Sequence, residues 1–445
     1  MSESSLNHHT TTHEHRSRLQ RGTVLAVASI AQFMVVLDVT IINVALPQMR
    51  TALHMSASGQ QWVINAYVLT FAGFLMLGGR AADLFGRRRV FIVGLATFTL
   101  FSLLGGFAQT GAELIAARAA QGIGGAILAP ASLSLLTATF TEHHERRRAL
   151  GVWSATAASG AAGGLFLGGL LTDLLGWRWV LFVNVPIGVA LVVASFLSLG
   201  ESAVGPASRR LDLAGAMTVT AGMALVVFGI VSTDSYAWTS ARTIATLAGG
   251  AALLVSFTVI EARFASNPIV PLGTFRRRTL TLANAQSTVV GAVVFGSYFF
   301  LSLYLQDVKH CSPLRAGLAF LPMGLMTFSG ALVASRLVKR VGIRRQLVIA
   351  PLVTAAAVFW LSHLTAHSSY LGSLLVPLLL VGASVGVTFV PMTMAATMGV
   401  PPAESGLASG LLNTSRQVGG ALGLAVLATI ATAATHHADG LGARR

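Results

Sequence analysis

Two side chains in this sequence carry charge where their neighbours carry none. Asp38 lies in Val36-Leu-Asp38-Val-Thr-Ile-Ile-Asn43-Val-Ala-Leu-Pro47, and Arg118 lies in Ala116-Ala-Arg118-Ala-Ala-Gln121-Gly122-Ile-Gly-Gly125. A carboxylate inside an apolar, lipid-embedded helix costs at least a few kcal/mol unless it is protonated, paired or wetted, so it is a functional candidate by default. Burial favours the neutral acid and a nearby cation favours the carboxylate. A carboxyl whose surroundings alternate can therefore load and release a proton. Arg118 is as costly alone and too deep in its stretch to reach water easily, so the two are expected to pair. Glu113, Asp173, Asp212, Glu261, Asp307 and Glu404 fall at the ends of apolar stretches, where water reaches them. The competing reading of Asp38 is a structural one, a carboxyl bonded to backbone at a helix end. Arg416 is a second candidate cation, and its plain alternative is a side chain bonded to backbone carbonyls.

Other residues form patterns rather than pairs. Gly160, Gly164 and Gly168 make one bare stripe, the small-residue spacing that lets membrane helices touch closely. Gly79 and Gly86 bracket a basic turn containing Arg87 and Arg88, with Asp83 an isolated acid among four arginines. A loop that served only to fix topology would not need that acid, which is placed to hold a helix N-terminus or a basic group in one conformation. Asn43, Gln61, Trp62, Asn65, Tyr67, Gln121, Asn284, Gln286, Asn413 and Arg416 are polar or aromatic residues within apolar stretches. As a set they suit a large, mostly apolar pocket with scattered polar anchors. For any one of them, hydrogen bonding between helices is the alternative.

The elements that must position these residues follow from composition. Over 445 residues only 10% are charged and 54% are hydrophobic, and mean hydropathy is +0.73. A soluble fold of this size could not cover itself with so few charges, so the chain is expected to be an all-α polytopic membrane protein. Apolar runs of about 20 residues imply spanning helices and exclude a barrel. Thirteen spans are expected, at 22–47, 59–79, 90–108, 112–138, 149–175, 179–199, 211–232, 242–262, 279–305, 314–335, 345–365, 370–396 and 404–434. With the N-terminus cytoplasmic, the inner segments hold 21 Lys and Arg and the outer loops only Arg50, Arg178, Arg242, Lys309 and Arg315. This bias orients the chain, and it explains the net charge of +15 without nucleic acid. The His-rich residues 1–21 read as a polar, unstructured cytoplasmic tail. The single cysteine, Cys311, and the scattered histidines offer no metal site, and no nucleotide-binding loop or nucleophile motif is present. No cofactor, no metal and no enzymatic activity are expected.

Ser335 to Arg345 echoes Gly79 to Arg89, a basic turn between two helices in each half of the chain. Such internal repeats mark carriers built from two related bundles, with the substrate site between them.

Across nearly its whole length the sequence resembles the major facilitator superfamily. Gly79 to Arg89 is similar to its loop signature, with Ala81 and Leu84 replacing the usual Leu and Arg. Leu37 to Pro47 resembles the first-helix signature of the fourteen-helix drug:proton antiporter branch (EmrB/QacA-like), and Arg118 to Gly125 its fourth-helix signature. Trp177 to Gly188, and Gly406 to Gly410 with Arg416 and Gln417, are also typical of that branch.

The resemblance implies a major facilitator fold with a six-helix bundle (22–199), a linker (200–210) and an extra helix pair (211–262). A basic loop (263–278), a second bundle (279–434) and a tail (435–445) follow. It also implies proton-coupled export of drugs or antibiotics across the cell membrane, with Asp38 and Arg118 coupling the proton. The glycines and the basic turn would gate, and the polar set would bind substrate. Two other readings stay open: an exporter dedicated to one endogenous metabolite, and a transport-dead membrane sensor or partner protein. A monomer is the default expectation. The sequence departs from the family in two places. Leu165 stands where the fifth-helix signature has Pro, which should leave that helix straight. Thirteen spans, one fewer than the family norm of fourteen, would place the C-terminus outside and leave the second bundle without its last helix.

Overall fold

The computed structural model describes residues 3–199, 212–234, 236–265, 268, 270, 272–398 and 405–442, and the side chains of some helical residues, Asp83 among them, lie outside that description. Described residues are overwhelmingly helical, because an apolar backbone in lipid must satisfy its own hydrogen bonds. The first half comprises α1 (Glu3–Ala52), α2 (Ala57–Phe85), α3 (Arg87–Gly106), α4 (Gly111–Thr139), α5 (His143–Leu175), the single turn α6 (Trp179–Phe182) and α7 (Asn184–Ser198). A pair, α8 (Leu213–Val231) and α9 (Ala241–Val259), follows. The second half comprises α10 (Arg278–Leu303), α11 (Pro313–Val341), α12 (Ile343–Leu361), α13 (Val376–Thr397) and α14 (Ser405–Gly442). Twelve stretches among the described residues are long and apolar enough to cross a membrane, and they coincide with the first twelve expected spans. The thirteenth expected span falls, from Ser405 onward, within α14.

One expectation needs correction. The N-terminal tail read as unstructured continues α1 as helix from Glu3. Once a long span has nucleated a helix, each added residue needs only its own hydrogen bond.

The two ends of the molecule differ chemically. Helices leaving the charge-poor end start on polar caps: Ser56, Thr110, Ser240 and Ser312 each accept a hydrogen bond from a backbone N–H three residues on. At the basic end α2 turns into α3 at Gly86 (φ 96°), and α11 turns into α12 at Gly342 (φ 86°). A side chain is strained in that left-handed region, so both halves of the repeat use glycine at the same corner. Gly79, read in the sequence as part of this turn, lies inside α2 instead. Arg88 pins the corner by donating to the Phe196 carbonyl of α7 at 2.9 Å.

Helices α1 to α7 pack as one bundle and α10 to α14 as the other, and they meet along two seams, α5 with α11 and α2 with α14. The glycine stripe belongs within the first bundle. A Cβ on Gly160 would sit 2.8 Å from the Phe33 carbonyl, one on Gly164 2.0 Å from Thr40 Oγ1, and one on Gly168 2.5 Å from the Ile41 carbonyl. The α5 backbone thus lies directly on α1, on either side of Asp38.

The next face of α5 makes the seam. A Cβ on Gly169 would be 2.4 Å from the Pro313 carbonyl, and one on Gly317 2.5 Å from that of Leu165. Leu165 is buried among Val44, Ala316 and Phe320, inside the continuous helix α5. Ser302 Oγ and Gln306 Nε2 of the second bundle donate to the carbonyls of Asn43 and Val44. The charge-poor end is therefore closed by backbone contacts. At the α2–α14 seam Gly410 meets only the flexible thioether of Met76.

Gly317→Ala should prop the charge-poor seam open, because the obstructing atom is a helical carbonyl that cannot swing away. Spin labels on the exposed Leu174 and Leu318 positions, in a Cys311→Ser background, should report a longer distance in this variant. An unchanged distance distribution would remove this contact as the determinant of closure.

The additional pair sits across the other seam. Helix α8 packs on both α2 and α14. A Cβ on Gly73 would overlap Thr220 of α8, and Thr429 of α14 donates to the Ile230 carbonyl at 3.2 Å. Helix α9 is outermost, with only Thr243 and Gly250 buried along its length.

Candidate functional site

Asp38 lies mid-way along the apolar part of α1, fully buried. Arg118 and Gln121 are three residues apart on α4, so they share one helix face and both reach it. Arg118 Nη1 donates to Asp38 Oδ2 at 2.5 Å and to Gln121 Oε1 at 2.7 Å, while Gln121 Nε2 donates to Asp38 Oδ1 at 2.9 Å. The three groups close a triangle. Asn184, the first residue of α7, adds a third donor to the carboxylate, Nδ2 to Oδ1 at 2.9 Å, and its Nδ2 also donates to Ser102 Oγ of α3 at 3.1 Å. Ser102 in turn donates to the Leu181 carbonyl at 2.8 Å. Helices α1, α3, α4 and α7 thus converge on one carboxylate.

The cation is equally enclosed. Arg118 Nε donates to the Val63 carbonyl of α2 at 3.3 Å, and the guanidinium lies 4.2 Å from the Tyr67 ring centroid. Arg118 is 1% exposed, and Asp38, Gln121, Asn184, Ser102 and Tyr67 are each 0%. Removing two ions from water costs several kcal/mol each, and only good geometry with extra hydrogen bonds recovers it. This site supplies both, through a charge-assisted pair, two amide donors and an aromatic face. The arrangement holds an ion pair in the membrane interior and can release it only if Asp38 changes charge or the helices separate.

The pairing expected from the sequence is present. Two residues read there as pocket lining, Gln121 and Tyr67, belong to the ion-pair site instead. Gln121 is locked to both ions, and Tyr67 forms the floor under the guanidinium. Nothing in the sequence marks Ser102, and Asn184 stands there only within the Trp177 to Gly188 motif. A buried Asn two residues before Pro186 in an apolar span was the available signal, whereas one serine among many carries none.

The remaining polar set divides. In the second bundle Asn284 accepts from Ser415 Oγ at 2.8 Å, and Arg416 donates to Asn413 Oδ1 at 2.6 Å with its guanidinium 5.3 Å from the Phe389 ring centroid. The Arg416 guanidinium thus rests against an amide and an aromatic ring. In the first bundle Asn65 is fully buried with neither amide atom hydrogen-bonded among the described residues, and Gln61 Oε1 and Asn43 Oδ1 are likewise free. Trp62 packs on Phe228 of α8, and Gln286 donates to the Leu347 carbonyl of α12. These two are held by neighbouring helices. The Asp83 side chain lies outside the described residues, and Arg87 is half-buried. No group of three His, Cys, Asp or Glu side chains among the described residues could hold a metal ion.

Two helix bundles joined along two seams, the first enclosing a buried ion pair, define a multi-pass membrane transporter. The chain belongs to the major facilitator superfamily, whose profile matches residues 28–424. It is 43% identical to the cephamycin export protein CmcT of Amycolatopsis lactamdurans, over 93% of this chain and 85% of that one. It is 41% identical to the puromycin resistance protein pur8 of Streptomyces alboniger, over 92% of this chain and 82% of the relative. Among solved structures it shares its fold with a D-xylose–proton symporter at TM-score 0.65 and 13% identity, covering 92% of this chain and 89% of that one.

Proposed function

We propose that this transporter exports drugs or antibiotics from the cell in exchange for protons, with Asp38 as the coupling carboxyl and Arg118 as its counter-ion. The carrying observation is the fully buried Asp38–Arg118 pair, placed where α5 lies backbone-to-backbone on α1. A fixed scaffold has no need of an ion pair so costly to bury, whereas a carrier that exposes Asp38 to each side in turn can use its charge change as the coupling step. The export and resistance names of the relatives support the direction and the substrate class. The polar cluster Asn284, Asn413, Ser415 and Arg416, together with Asn65, Gln61 and Asn43, supplies the anchors expected of a pocket between the bundles.

The test is accumulation of a panel headed by puromycin, in cells with and without the protein, repeated after the proton gradient is collapsed. Lower accumulation that vanishes with the gradient is expected. Equal accumulation across a broad panel would favour a dedicated metabolite exporter, and proton-driven flux of no compound would favour a transport-dead protein.

In this reading the basic end faces the cytoplasm of a cytoplasmic membrane. Cys311 then lies outside, in the loop before α11, and is half-buried. A membrane-impermeant thiol reagent should label it in intact cells or spheroplasts, while Arg344→Cys in a Cys311→Ser background should label only after lysis. The reverse pattern would invert the topology.

A further inference from the structure

Three donors surround the Asp38 carboxylate: Arg118, Gln121 and Asn184. That shell suits the ionised form. A protonated Asp38 carries an O–H of its own and needs an acceptor, which guanidinium can never be. Gln121 has an acceptor oxygen, but Arg118 Nη1 already holds it at 2.7 Å. Turning that amide over would set its NH2 group against the guanidinium, so Gln121 is fixed in one orientation.

Asn184 is free of that constraint. Its Nδ2 faces only Asp38 Oδ1 and Ser102 Oγ. Its Oδ1 is buried and has no hydrogen-bond partner among the described residues. A half-turn of the amide would present Oδ1 to both neighbours. Once Asp38 is protonated, each of them can donate: the acid through its new O–H, and Ser102 by rotating its hydroxyl away from the Leu181 carbonyl. The exchange balances, since the arriving proton resides on Asp38 and the other hydrogens stay on their own atoms. An unpaired buried acceptor costs about 1–3 kcal/mol; the turn gives Oδ1 the Asp38 O–H only in the protonated state, and in exchange carries the Nδ2 hydrogens to the side where Oδ1 had no partner. Arg118 of α4 and, behind it, Tyr67 of α2 are the titratable groups facing Asp38; α5 brings its glycines and α7 brings Asn184.

We infer that Asn184 is a positioning residue that reads the proton on Asp38, its amide donating to the carboxylate and, after a half-turn, accepting from the acid. Helix α7 thereby carries a hydrogen-bond switch for the coupling step. The inference rests on Asp38 being the coupling carboxyl.

Infrared difference spectra between high and low pH test it, on the full chain in lipid vesicles labelled with carbon-13 at the asparagine side-chain carbonyl. Lowering the pH should produce a carboxylic-acid band that Asp38→Asn removes, together with a shift of one labelled amide band that both Asp38→Asn and Asn184→Leu abolish. In Asn184→Leu the acid band should persist but move to higher frequency, having lost its acceptor. If Asn184→Leu does not fold, Asn184→Ser serves for the assignment. An acid band without any labelled amide shift would overturn the switch and leave the Asp38 reading intact. Absence of any Asp38 acid band would overturn both.

Discussion

Asp38→Asn should abolish uphill export while leaving membrane insertion intact. The amide matches the carboxyl in volume, so α1 still fits against the α5 glycines; its oxygen can accept from Gln121 and Asn184, while its NH2 group then faces the Arg118 guanidinium. What disappears is the ionisable acid of the buried Asp38–Arg118 pair. With a group that cannot change charge, neither face of the membrane can load or unload the coupling proton, and the carrier loses its link to the gradient. Arg118 would be left a buried cation held by Gln121, the Val63 carbonyl and the Tyr67 face. The expected result is export that no longer responds to an imposed proton gradient, with downhill substrate exchange retained. Gradient-driven accumulation in inverted vesicles, at equal protein level, is the measurement.

Arg118→Ala should be nearly as severe for a different reason. Breaking a buried pair by removing one partner costs on the order of 3–5 kcal/mol, because the remaining charge is uncompensated. At about 1.4 kcal/mol per factor of ten, this is roughly a hundredfold or more against the state that holds Asp38 as a carboxylate. The variant is expected to retain the acid in its neutral form, so proton release fails and export falls by a comparable factor. Arg118→Lys should recover only part of it, since an ammonium keeps the charge but loses the fork that meets Asp38, Gln121 and Val63 together. Export rates for the three proteins at matched expression decide this. Equal rates for wild type and Arg118→Ala would reduce the pair to a structural contact.

Much of the architecture is legible in the sequence because lipid imposes one simple rule, helices of about 20 apolar residues. The basic turns at Gly86 and Gly342 are readable for the same reason, as few residues other than glycine tolerate that corner. Asp38 and Arg118 stood out through scarcity, two charges in spans that otherwise exclude them. What eluded the sequence is direction around the helix axis. The stripe Gly160, Gly164 and Gly168 announces close packing without naming its partner, and only the fold assigns it to α1 rather than to the opposite bundle. Tyr67 and Gln121 could equally have faced a pocket, and Trp62 gave no sign of resting on α8. Ser102 joins the site through a single hydroxyl from α3, a contact that no local pattern encodes.

Substrate-induced proton release from the detergent-purified full chain tests the central claim most directly. Puromycin is the first probe, and any compound whose accumulation the protein lowers in cells serves next. Binding to wild type in weakly buffered solution should release protons as Asp38 gives up its own, and Asp38→Asn should bind without release. Undiminished proton release from Asp38→Asn, together with uphill transport by that variant in vesicles, would contradict the account and place the coupling step elsewhere.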